Sequence, residues 1–170
     1  MSRPTFLDRT PLNLLSAGNS ASARAQIVLV HGLGEHIGRY AALIQTLAQN
    51  GFAVAAYDQR GHGQSGGARG ALPHAQALLG DLAFIIDHVR ERSAAQRLPL
   101  VLLGHSMGGA VVGRLVAEGV AAHPAAWYRP VQAMVVSSPA WAADLNPLQR
   151  LLMQVGRLMP DLAAGNGLKP

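Results

Sequence analysis

The sequence predicts an α/β fold: a mostly parallel sheet flanked by helices. Two observations point there. Apolar runs of strand length recur at 26–30, 53–57, 100–104 and 132–136, with segments of helical spacing between them. Such alternation of strand and helix is the pattern of a doubly wound parallel sheet. In addition, three of these runs empty directly into glycine-bearing loops: His31-Gly32-Leu33-Gly34, Asp58-Gln59-Arg60-Gly61 and Gly104-His105-Ser106-Met107-Gly108.

Each element has its own justification. Residues 1–24 contain Pro4, Pro11, Gly18, Asn19 and Ser20 and read as irregular or weakly stranded. Ile27-Val28-Leu29-Val30 is the first strong strand, and a helix is expected over 39–50. Ala53-Val54-Ala55-Ala56 is the next strand. Over 74–93, Leu78, Leu82, Ile85, Ile86 and Val89 fall at helical spacing. Leu100-Val101-Leu102-Leu103 is the third strand, and a helix is expected over 107–119. After the strand at 132–136 and Ser137-Ser138-Pro139, a loop to Asn146 with Trp141 leads to an apolar stripe. That stripe is Leu148, Leu151, Leu152, Val155, Leu158 and Met159, ended by Pro160.

The chemistry concentrates on Ser106. A strand feeds straight into Gly104-His105-Ser106-Met107-Gly108-Gly109, and a helix-compatible segment follows. This is the layout of a nucleophile elbow. Gly104 and Gly108 stand where backbone must pass close to backbone, and the serine hydroxyl is forced outward. The amides opening the next helix favour a developing oxyanion. The alternative is a glycine-rich β–α turn without chemistry, and the other motifs argue against it. Gly63-Gln64-Ser65-Gly66-Gly67 matches the same Gly-x-Ser-x-Gly pattern. It lies well past its strand and runs into Gly66, Gly67 and Gly70, which no helix would begin with, so Ser65 reads as a loop serine.

In His31-Gly32-Leu33-Gly34-Glu35-His36, glycines free the Leu33 amide from a strand ladder. His31 reads as a packed residue that fixes the loop, and His36 as an exposed polar residue. In the loop after Tyr57, no Gly-x-Gly-x-x-Gly opens a helix upstream, so a dinucleotide site is a poor reading of Asp58. Asp58, Arg60 and His62 are expected to hydrogen-bond the loop's own backbone.

Together these residues resemble the α/β-hydrolases, in their monoacylglycerol lipase and lysophospholipase-like branch. The likeness rests on the His31–His36 block with Arg39-Tyr40, on Asp58–Ser65, and on Gly104–Gly109, in that order, and runs from about Ala25 to the C-terminus. It implies an α/β-hydrolase fold and a serine ester hydrolase acting on monoacylglycerol-like or lysophospholipid-like substrates, without cofactor or metal. It also implies that Ser106 is the nucleophile and that the backbone N–H groups of Leu33 and Met107 form the oxyanion hole. Residues 1–138 would be the N-terminal part of the core and 139–170 the start of a cap. The stripe at 147–159 is then either a helix packed on its own domain or a cap helix touching a lipid surface, with Arg150 and Arg157 near headgroups.

One departure matters. A serine hydroxyl needs a base, and in this fold the order is Ser, then Asp or Glu, then His. After Ser106 come Glu118, His123, Asp144 and Asp161. His123 is the only histidine, and it precedes both aspartates. His105 is expected to point back toward the core. No residue matches the acid or the base. A single α/β domain often runs to about 200–250 residues, so 170 residues suggest a C-terminally truncated hydrolase. A remnant or interaction module of the same fold is the competing expectation.

Composition bounds the rest. The chain is 49% hydrophobic and 14% charged, which suits a globular domain. It has no cysteine, so no disulfide and no thiol metal site. Met1–Leu15 holds no continuous apolar core, so no secretory signal is expected, and cytoplasmic location is. The net charge of +5 comes from thirteen Arg and one Lys that are scattered, which argues against nucleic acid as a partner. The nearest cluster, Arg90, Arg92 and Arg97, ends a helix, where cations suit the dipole.

Overall fold

The computed structural model describes residues 10–93 and 97–141. Five strands form one sheet: β1 (Leu14–Ala17), β2 (Ala25–Val30), β3 (Phe52–Tyr57), β4 (Leu100–His105) and β5 (Ala133–Ser137). Their order is β1-β3-β2-β4-β5; β1 is antiparallel to β3, and all other pairs are parallel. Three helices connect them: α1 (Ala41–Gln49), α2 (Ala77–Arg92) and α3 (Met107–Ala117). A 3-10 turn, Ile37–Tyr40, precedes α1, and another, Glu118–Val120, follows α3.

The strands and helices predicted up to residue 136 are present, within a few residues at their ends. The segment read as irregular or weakly stranded contains the four-residue β1. The expected helix over 74–93 begins only at Ala77, after a turn whose Ala77 N–H donates to His74 O. The stripe at 147–159, with Asp144 and Asp161, lies outside the described residues, as does most of the expected cap.

Why the sheet sits where it does follows from the strand patterns. β2 is buried at all six positions, as a central strand covered on both faces must be. Alternate side chains divide between two cores. Val28, Val30, Ala55, Tyr57, Leu100 and Leu102 pack against Leu82, Ile85 and Ile86 of α2 and Val112 and Leu115 of α3. Ile27, Leu29, Val54 and Ala56 pack on the other face against Ile37 and Ile44. β5 is an edge strand, and Met134 and Val135 are 42% and 52% exposed.

This topology places the loops. Val30 is in register with Tyr57 on one side and Gly104 on the other, so three parallel strands end level. The chain leaves β2 toward β3 and leaves β4 toward β5. The connections therefore diverge between β2 and β4. Such a switch point, at the carboxyl ends of the strands, is where open α/β sheets bind ligands. The loops after Val30 and after His105 meet there.

Candidate active site

Ser106 stands between the last residue of β4 and the first of α3. Its backbone has φ 51° and ψ −118°, a conformation that a side chain other than glycine rarely adopts. Glycines on either side make the turn possible. A Cβ on Gly104 would lie 2.5 Å from the Gly108 carbonyl oxygen, and one on Gly108 would lie 2.1 Å from that of Val30. The strain is held in place by hydrogen bonds. The Ser106 N–H donates to Ser137 O at 3.0 Å, and Ser106 O accepts from Ala110 N–H at 3.1 Å and Ala140 N–H at 3.0 Å.

The loop after β2 reaches the same point. A Cβ on Gly32 would come within 3.1 Å of Ser106 Cβ and 2.9 Å of a Glu35 carboxylate oxygen. Leu33, next in the turn, is 69% exposed at the mouth of the site. Met107 is the first residue of α3, where an amide has no carbonyl one turn back within the helix. Among the described residues, neither the Leu33 nor the Met107 N–H donates to a backbone acceptor.

Around this pair, buried polar groups fix the loops. His31 is fully buried; its Nε2 accepts from Gln59 N–H at 2.9 Å, and its Nδ1 lies 2.7 Å from Gly32 O. Gln59 Nε2 donates back to His31 O at 2.6 Å. Burial holds the His31 ring below the ordinary histidine range. Glu35 Oε2 accepts from Gly32 N–H at 2.8 Å and from Tyr40 O–H at 2.5 Å. Burial alone would raise the Glu35 carboxyl; the two donors, together with the nearby His105 and Arg39, outweigh it and hold it below the usual carboxylate value. The Tyr40 phenol is pushed up, by burial first and then by its bond to Glu35.

The second Gly-x-Ser-x-Gly has a different use. Ser65 Oγ donates to Asp58 O at 2.5 Å and accepts from Asn13 N–H at 2.8 Å, so it ties β3's exit loop to the segment before β1. Asp58 bonds its own loop through Gln64 N–H at 2.9 Å, as expected. It also accepts from Ile37 N–H at 2.7 Å and Asn13 Nδ2 at 2.8 Å, which are in other segments. His62 Nδ1 lies 3.0 Å from Arg60 O, within the loop.

Two expectations change. Arg60 reaches another element rather than its own loop's backbone in these bonds: its guanidinium pairs with buried Asp81 of α2, Nε–Oδ2 2.6 Å and Nη2–Oδ1 2.7 Å. A buried guanidinium needs a carboxylate, and α2 supplies one. His105 does not turn into the core. The alternation along β4 sends Leu102 and Gly104 to the α2–α3 face and leaves His105 half-buried on the α1 face. There its ring lies 6.4 Å from that of Tyr40 and its Nδ1 3.2 Å from Ser137 Oγ.

The acid and histidine that follow Ser106 in the described chain are carried away from it. α3 has eleven residues, so it spans about 16 Å from the elbow to its far end. Glu118 sits at that end, bonded to Arg114 and to Ala125 N–H, and His123 lies in the exposed turn beyond. Sequence reading did not find the Glu35–Tyr40 bond. An isolated carboxylate three residues after Gly32 was the available signal.

The chain as a whole is similar to known hydrolases. Residues 21–170 match the family described as serine aminopeptidase, S33. A monoacylglycerol lipase of Mycolicibacterium smegmatis is 34% identical over 142 residues, covering 84% of this chain and 47% of the relative. A monoglyceride lipase of Rattus norvegicus is 33% identical over 154 residues, covering 86% and 46%. The crystal structure of a Paleococcus ferrophilus monoacylglycerol lipase superposes with a TM-score of 0.67 at 36% identity, over 94% of this chain and 56% of that one. A Bacillus coagulans carboxyl esterase shares the fold with a TM-score of 0.70 at 23% identity, over 95% and 50%. The chain thus spans just under half the length of the two curated lipases. With the elbow, the switch-point crevice and this match together, the chain belongs to the serine aminopeptidase S33 family of α/β-hydrolases.

Proposed function

We propose that this chain carries the nucleophile half of a serine ester hydrolase. Ser106 Oγ attacks the acyl carbonyl of an ester, and its proton passes to a general base. The N–H groups of Leu33 and Met107 receive the oxyanion. The alcohol leaves with a proton, and water then releases the acid from the acyl-serine. The observation that carries this reading is the left-handed Ser106 backbone at a β–α turn, pressed against the Gly32 loop. The relatives named as monoacylglycerol lipases favour monoacylglycerol-like or lysophospholipid-like substrates. The stripe at 147–159 is proposed as the acyl-facing or membrane-facing part. Among the described residues, no helix is long and apolar enough to cross a membrane.

Neither Glu118 nor His123 is placed to take the serine proton, so the proposal assigns acid and base to residues other than these. It follows that the 170-residue chain turns over esters poorly. Loss of a triad member leaves roughly 10³–10⁴-fold catalysis over water. The test compares this chain, its Ser106→Ala variant and a C-terminally extended form on a chromogenic short-chain ester. Turnover by the extended form that Ser106→Ala abolishes supports the reading. Turnover that survives Ser106→Ala overturns it. Absence of turnover in every form favours a binding module of the same fold.

A further inference from the structure

We propose that His31 and Glu35 are positioning residues that together set the direction of the Leu33 amide, by gripping Gly32 from both sides. The inference rests on the hydrolase reading for its purpose, and on the loop's own geometry for its substance.

The argument starts from a tautomer. Gln59 N–H is a backbone donor and points at His31 Nε2 at 2.9 Å, so Nε2 must be an acceptor. The ring is fully buried and its pKa is lowered, so it is neutral. A neutral imidazole with an acceptor Nε2 carries its proton on Nδ1. That proton has one partner at hand, the Gly32 carbonyl at 2.7 Å. The Gly32 carbonyl and the Leu33 N–H belong to one peptide unit. A trans peptide is planar, and its C=O and N–H point in opposite directions. The described chain has no cis peptide bond. By holding the carbonyl, His31 therefore turns the Leu33 N–H the other way.

One anchored carbonyl still leaves the preceding peptide free to rotate. Glu35 removes that freedom by accepting Gly32 N–H at 2.8 Å. The same oxygen accepts Tyr40 O–H at 2.5 Å, and the other faces Arg39 Nε at 3.8 Å. The carboxylate is thus fixed by the turn that precedes α1. Gly32 sits between this carboxylate and Ser106, where a Cβ would come within 2.9 Å of a Glu35 carboxylate oxygen and 3.1 Å of Ser106 Cβ. A residue held through both its N–H and its C=O beside the candidate nucleophile is what preorganised oxyanion stabilisation requires.

The experiment uses the 170-residue chain and its Glu35→Ala, Glu35→Gln and Tyr40→Phe variants. Nitrogen-15 ring spectra of His31 should show Nδ1 protonated; an Nε2–H tautomer overturns the assignment. Amide exchange at Gly32 should rise at least tenfold in Glu35→Ala, with β2 and β4 still protected. Glu35→Gln, which keeps an acceptor oxygen, should recover part of it, and Tyr40→Phe should fall between. Unchanged Gly32 exchange in Glu35→Ala overturns the grip, whatever the catalysis. In the extended form, Glu35→Ala should lower kcat about tenfold or more with KM little changed, and Glu35→Gln should restore part. An unchanged kcat there, with Ser106-dependent turnover intact, also overturns it. Loss of Ser106 dependence strikes the hydrolase reading instead, and the tautomer and exchange results then decide the loop.

Discussion

Alanine at Gly108 and alanine at Gly113 should have opposite outcomes, although one distance describes both. Each glycine lies in α3, and a Cβ at either would come within 2.1 Å of its nearest neighbour. At Gly108 that neighbour is the carbonyl oxygen of Val30, with the His31 oxygen at 2.5 Å. At Gly113 it is the Trp141 ring. A Cβ needs about 3 Å, so roughly 1 Å must be found in a close-packed interior. Val30 cannot supply it, because it is paired with Tyr57 on one side and Gly104 on the other. The start of α3 must move instead, and Ser106 with it. Overpacking typically costs about 1–3 kcal/mol; with only backbone to give, Gly108→Ala should reach the upper end, about 3 kcal/mol. Trp141 is 60% exposed and can swing outward. There the gain of about 0.8–1 kcal/mol from replacing glycine in a helix offsets the lost ring contact, leaving Gly113→Ala within about 1 kcal/mol of the parent. The assay is urea unfolding followed by circular dichroism. With m near 2 kcal/mol per molar, within the usual range of about 1–3, the midpoint should fall by about 1.5 M for Gly108→Ala and by less than about 0.5 M for Gly113→Ala. Equal midpoints, or a larger loss at Gly113, would refute the reasoning.

Three further outcomes follow from the same contacts. Asp81→Ala removes the buried carboxylate that pairs with the Arg60 guanidinium, itself 2% exposed; the loss should be about 3–5 kcal/mol, read from the same urea titration, and a loss under about 1 kcal/mol would show that the pair is dispensable. Ser65→Ala removes two hydrogen bonds of the loop serine and should cost about 1–2 kcal/mol, while Ser106-dependent ester turnover of the extended form persists; abolished turnover in a folded Ser65→Ala would mean the wrong Gly-x-Ser-x-Gly was chosen. His31 has a folded pKa below its unfolded value of 6.5, so the unfolded chain binds the proton more readily. Stability should be undiminished above about pH 6.5 and fall as pH drops below it toward the folded pKa. Urea midpoints from pH 8 to pH 5 test this, and a flat profile across that window contradicts a buried neutral ring.

Local pattern told the most where a residue's role depends on its immediate neighbours in the chain. The strand at 100–104 before Ser106, and the glycines at Gly104 and Gly108, distinguished its turn from the loop of Ser65, and the coordinates show that turn with Ser106 in a left-handed conformation. Pattern told least about side chains that meet across the fold. Arg60 and Asp81 are separated by 21 residues, and nothing near either names the other. Asp58 was legible as a loop-bonding carboxylate through Gln64, yet its bonds to Asn13 and Ile37 depend on β1 and the turn before α1 arriving beside it. The direction of His105 was misread because an elbow's geometry governs the serine; the residue before it still obeys strand alternation, and its ring goes to the α1 face.

The strained serine also assigns a role to the most exposed strand. A residue other than glycine at φ 51° persists only where its surroundings over-determine it. At Ser106 the surroundings are largely β5 and the turn beyond. Ser137 O receives its N–H, Ala140 N–H reaches its carbonyl, and Pro139 lies against Gly109, where a Cβ would sit 2.9 Å from the proline ring. β5 buries little of its own apolar surface, so its value to the sheet is modest; its value to the elbow is direct. The two sets of contacts that define the site therefore have separate origins. Orientation of Ser106 is settled by β4, β5 and the residues around Pro139, whereas Gly32 is held by His31 and Glu35, with Gln59 bonded to His31. Neither set draws on the group that would remove the serine proton. On the proposed reading the oxyanion amides and the proton acceptor are therefore independent, and a loss of turnover on changing the acceptor should leave Ser106 in the same strained turn.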